Sequence, residues 1–113
     1  MILVLGGIAS GKRTYLRSLG YTDDKVGCAI ASLEPALYGL EECLTSGDLG
    51  QDELEALVRK DVVACCEVGQ GVVAMDARDR VWQERVGRTC CWLAQRASKV
   101  VRMVCGIPTV IKE

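Results

Sequence analysis

The chain has 113 residues, half of them hydrophobic and 26% charged, a size that predicts one small soluble domain over residues 1–113 and excludes a multidomain arrangement within this length. With 14 basic and 15 acidic residues the net charge is −1, which offers no footprint for nucleic acid or an anionic membrane surface, and no apolar run is long enough to span a membrane. Histidine is absent, which excludes His-based triads, Cys-His dyads, His metal ligands and phosphohistidine intermediates.

Met1 to Leu5 is an uninterrupted apolar run closed by Gly6 and Gly7, as expected for a strand covered on both faces in a parallel sheet. It has no basic leader and is too short for a signal peptide, so a cytoplasmic location is expected. Lys12 to Leu19 then reads as a helix with Tyr15, Leu16 and Leu19 on one side and Gly20 as its stop. Val26 to Ala31 is a weaker strand candidate because of Gly27 and its alanines. From Pro35 to Thr45, the spacing of Leu37, Leu40, Cys43 and Leu44 predicts a helix. Asp52 to Lys60 predicts another, with acids in its first turn and Arg59-Lys60 in its last.

The period changes at Val62 to Cys66, a buried-strand run, followed by a glycine loop from Glu67 to Gly71. Residues 78 to 98 carry the longest helical pattern, with Val81, Val86, Cys90, Leu93 and Ala97 as its stripe. Trp82 and Trp92, ten positions apart on that helix, read as core or subunit-contact residues. Val100 to Cys105 is a last core strand interrupted by Arg102, and Gly106-Ile107-Pro108 turns the chain into an edge segment from Thr109 to Lys112. The seven cysteines include no C-x-x-C pair, which argues against zinc, and Cys65 and Cys66 read as small buried hydrophobes. The alternation predicts an α/β fold, a P-loop NTPase-like parallel sheet flanked by helices and reduced in size.

The chemistry concentrates in Gly6-Gly7-Ile8-Ala9-Ser10-Gly11-Lys12, a G-x-x-x-x-G-K match placed after a predicted strand and opening a predicted helix. Glycines there let backbone N–H groups converge on phosphate oxygens while Lys12 neutralises β- and γ-phosphate charge, so the segment from Gly6 to Thr14 is expected to bind GTP or ATP. The Ser or Thr that would hold Mg²⁺ after the lysine is Arg13, a residue able to meet phosphate but not a cation; Thr14 is one step further round the helix. A metal-linked acid belongs near the end of another core strand, where Glu67 is best placed and the Glu41-Glu42 pair comes second.

These residues resemble the adenosylcobinamide kinase / adenosylcobinamide-phosphate guanylyltransferase family of cobalamin biosynthesis. The likeness rests on Ile2-Leu3-Val4-Leu5-Gly6-Gly7 with Ser10-Gly11-Lys12, and on Val62 to Lys112. The second stretch carries Glu67-Val68-Gly69-x-Gly71, Gly87-Arg88 and Gly106-Ile107-Pro108 with Ile111-Lys112. Glu42-Cys43-Leu44-Thr45 is similar to the family's acidic D/E-C-L-T segment, and Ile30-Ala31-Ser32 faintly to its second strand. The resemblance implies a nucleotide-dependent kinase acting on the aminopropanol hydroxyl of cobinamide, a corrinoid, with Lys12, Glu42 and Glu67 as catalytic candidates. It adds Ala31, Ser32 and Glu42 to the nucleotide site, Thr14 or Glu42 as holders of Mg²⁺, and a homo-oligomer, trimeric as in the family. It also implies a strand just before Glu42, against the helical pattern from Pro35 to Thr45. Family members are longer, and the missing length falls where the histidine accepting GMP would lie, so guanylyl transfer through phosphohistidine is closed to this sequence. The alternative is a nucleotide- or corrinoid-binding remnant without catalysis.

Overall fold

The computed structural model describes residues 1–7, 9–67 and 77–113. The expectations for Ile8 and for the glycine loop beyond Glu67 therefore lie outside the described residues. Six strands, β1 (Ile2–Gly6), β2 (Val26–Gly27), β3 (Ala36–Tyr38), β4 (Val62–Cys66), β5 (Lys99–Val104) and β6 (Ile107–Lys112), form one sheet in the order β2-β3-β4-β1-β5-β6. All neighbours are parallel except β5 and β6. The helices are α1 (Lys12–Ser18), α2 (Leu40–Cys43), α3 (Gln51–Arg59) and α4 (Ala77–Arg96).

Period-two alternation sorts the side chains of the central strands onto two faces. Leu3, Leu37, Val63, Cys65 and Val100 pack with Leu40, Leu44, Leu57, Val86 and Leu93 under α2, α3 and α4. Val4, Ala36, Val62, Ala64, Val101 and Met103 pack with Leu16 of α1 on the other face. The result is the expected small α/β layer fold with a mostly parallel sheet. Among the described residues no helix is long and apolar enough to cross a membrane.

Two expectations are corrected. Residues 36–38 are a strand, and only Leu40–Cys43 of the Pro35 to Thr45 segment is helical. Gly39, with φ of 85°, breaks the segment between them, and β3 gains a parallel partner in β4 that an isolated helix pattern does not register. The stripe on α4 also loses Val81, which is 50% exposed, whereas Val86 and Leu93 are buried. Of the cysteines, Cys65 is buried but Cys66 only partly so, because it is the last residue of β4, at the carboxyl end of the sheet.

The topology itself creates a crevice. The chain leaves β1 toward β2 and β3, whereas it leaves β4 in the opposite direction toward β5, so the connections from these neighbouring strands part at their carboxyl ends. Open parallel sheets bind ligands at such a switch point.

Candidate functional site

Gly6, the last residue of β1, stands in register with Cys66 of β4 and Met103 of β5, so the Gly6–Lys12 loop emerges from the middle of the sheet at the switch point. The loop is shaped by its own backbone. Ser10 N–H donates to Gly7 O at 3.3 Å, and Tyr15 N–H donates to Gly11 O at 2.9 Å, starting α1. Gly11 has φ of 94°, a left-handed angle, and a Cβ there would come within 3.0 Å of Gly106 Cα.

Gly106 belongs to the tight turn between β5 and β6, where Cys105 and Gly106 both have positive φ as a two-residue hairpin of this hand requires. Its N–H donates to Ser10 O at 2.9 Å, so the hairpin holds the loop from outside. Lys12 is only 5% exposed, and its ammonium donates to Gly6 O at 3.1 Å and Gly7 O at 2.7 Å. The cation is thus already folded over the loop it opens.

Arg13 does not point its charge at the loop. Its guanidinium lies 4.5 Å from the Tyr38 ring centroid and 3.5 Å from Asp23. Thr14 is exposed and lines a cleft of about 350 Å³ with Gly11, Tyr15, Ser18, Met103, Gly106 and Pro108, which runs from the loop along α1.

Glu67 follows β4, and its N–H donates to Gly6 O at 2.8 Å, so its carboxylate starts beside the loop. There Oε1 is 3.1 Å from Arg102 Nε, in an ion pair that spans β1. A second cavity, of about 200 Å³, is bounded by Gly7, Ser10, Glu67, Arg102, Met103, Val104 and Cys105. Glu42 lies exposed on α2, while its neighbour Glu41 reaches the strand ends, where Oε1 accepts the Cys66 N–H at 2.8 Å. Burial pushes the Cys66 thiol up, with the Lys12 ammonium pulling the other way. Trp82 fixes α2 by donating from its indole N–H to Glu41 O at 2.9 Å.

Ala31 and Ser32 are not brought to this constellation. Lys60, at the residue before Asp61 and β4, holds Ser32 O and Glu34 O at 3.0 Å each, which puts that segment at the amino-terminal edge of the sheet. Loop, Lys12 and Glu67 therefore converge, Glu42 stays at the rim, and Ala31 with Ser32 lies at the opposite end. Sequence reasoning missed Tyr38 and Arg102 as members of the site, and it named Glu41 only within the Glu41-Glu42 pair placed second to Glu67. The signal for Arg102 was a lone charge inside an otherwise apolar core strand.

A family model described as cobinamide kinase / cobinamide phosphate guanyltransferase matches residues 41–111, more than half of the chain. The match begins after the Gly6–Lys12 loop, so the two are independent: the family rests on α2 through β6, and that loop on its own geometry. No curated protein matches the chain.

Proposed function

The chain belongs to the cobinamide kinase / cobinamide phosphate guanyltransferase family, and from that membership we propose that it binds GTP or ATP at Gly6–Thr14 and phosphorylates the cobinamide aminopropanol hydroxyl. The observation that carries this reading is Lys12, a nearly buried ammonium held over a glycine loop at the switch point. It exchanges the Gly6 and Gly7 carbonyls for phosphate oxygens when nucleotide enters, while loop N–H groups take the remaining charge. The nucleoside lies in the cleft along α1 beside Thr14 and Tyr15. Glu67, with Glu42 at the rim, orients the acceptor hydroxyl. That oxygen bonds to the γ-phosphorus as the β–γ bridging bond breaks, its proton goes to the carboxylate, and the nucleoside diphosphate leaves.

Guanylyl transfer is left out of this proposal because no histidine is present among the 113 residues. Incubation of the purified protein with GTP or ATP and cobinamide tests the reaction. The expected result is a corrinoid heavier by one phosphoryl group in mass spectrometry, lost in Lys12→Ala. A second reading, nucleotide or corrinoid binding without transfer, is favoured by the engagement of Glu67 with Arg102; saturable binding with no phosphorylated corrinoid would establish it. A homo-oligomer, a trimer as the resemblance suggests, and a cytoplasmic location complete the proposal. The exposed apolar side chains of β6, Ile107, Val110 and Ile111, support assembly.

A further inference from the structure

P-loop kinases commonly hold a divalent cation between a hydroxyl after the loop lysine and an acid at a neighbouring strand end. The described residues do not fit that ion. Arg13 stands at the hydroxyl position, stacked on Tyr38 and paired with Asp23. Glu67 is ion-paired to Arg102, and Glu41 is engaged by the Cys66 N–H.

The same place fits an anion. Arg102 sits on β5 in register with Leu5, one residue before Gly6, and the cavity of about 200 Å³ between it and the loop is lined by Gly7, Ser10 and Glu67. On that cavity Ser10 Oγ is buried without a hydrogen-bond partner, Ser10 being only 9% exposed, while Arg102 has its Nε 3.1 Å from Glu67 Oε1. The unmade bond of a buried hydroxyl is costly, and here that hydroxyl and the Arg102 guanidinium line one space large enough for a phosphoryl group.

Resting on the nucleotide-binding reading, we propose that Arg102 stands in for the divalent cation, so that the site takes the terminal phosphate of a nucleoside triphosphate without metal. The γ-phosphate occupies the cavity, accepts from Ser10 Oγ and the Arg102 guanidinium, and shares its remaining charge with Lys12. Guanidinium serves this purpose better than ammonium because its planar donors meet two phosphate oxygens at once.

Calorimetric titration with GTP and with inorganic tripolyphosphate, in EDTA and in excess Mg²⁺, tests this on the wild type, Arg102→Leu and Arg102→Gln. Wild-type affinity for GTP is expected to differ by less than about threefold between the two conditions, and each variant to lose about tenfold or more in EDTA, as expected for losing a charged phosphate contact. Circular dichroism melts identify any variant that fails to fold, and the wild-type comparison needs none. GTP binding that requires Mg²⁺ in the wild type, or folded variants that bind as the wild type does in EDTA, would overturn the proposal while leaving the nucleotide site intact. Absence of binding by either probe in both conditions would overturn both.

Discussion

Gly11 carries more structural obligation than any other loop residue described. Its φ of 94° strains any side chain there, and a Cβ at that position would press on Gly106 Cα at 3.0 Å. Gly11→Ala is expected to cost roughly 1–2 kcal/mol of stability from the backbone angle alone, read as a lowered urea midpoint, and to weaken nucleotide binding by displacing Lys12. An unchanged midpoint would mean that the hairpin turn does not brace the loop. The glycines and Lys12 were legible in the sequence because their spacing encodes a backbone shape. The Glu67–Arg102 pair was not, because residues 35 positions apart meet only through the register of β4, β1 and β5. Similarly, Glu41 and Glu42 are adjacent in sequence, and only the turn after Gly39 decides that Glu41 faces Cys66 while Glu42 faces solvent.

At the level of elements, β6 is the expected edge strand, starting two residues earlier than the Thr109 to Lys112 segment read from the sequence. It pairs with β5 along one edge, and all six of its residues are exposed, including Ile107, Val110 and Ile111. Lys112 ties it to the helical layer, its ammonium capping α4 by donating to Ala94 O at 2.8 Å and Gln95 O at 3.1 Å. An apolar edge strand is an association surface unless something covers it. Light scattering is therefore expected to give a mass that is a multiple of the 12.2 kDa chain, and a clean monomer would remove assembly from the proposal. Strands β1, β4 and β5 were legible from their continuous apolar runs. Residues 36–38 were not, because Leu37, Leu40 and Leu44 match a helical period while the chain spends them on a strand, a turn and a short helix that all reach the same core face.

For the molecule as a whole, sheet order explains why a loop and an acid about 60 positions apart belong to one site. The crossover from β4 over β1 to β5 brings Glu67, Arg102 and the Cys105-Gly106 turn around the loop that leaves β1. The family match covers the part of the chain that frames this site, and the loop supplies the phosphate chemistry that the frame implies. The central claim is that this loop binds nucleotide through Lys12. Calorimetric titration of the purified protein with GTP and with ATP, beside Lys12→Ala, tests it most directly. Saturable binding by the wild type, weakened at least about tenfold in the variant by loss of the buried charge, is the predicted result. Absence of binding up to millimolar nucleotide, or equal binding by the variant, would contradict it.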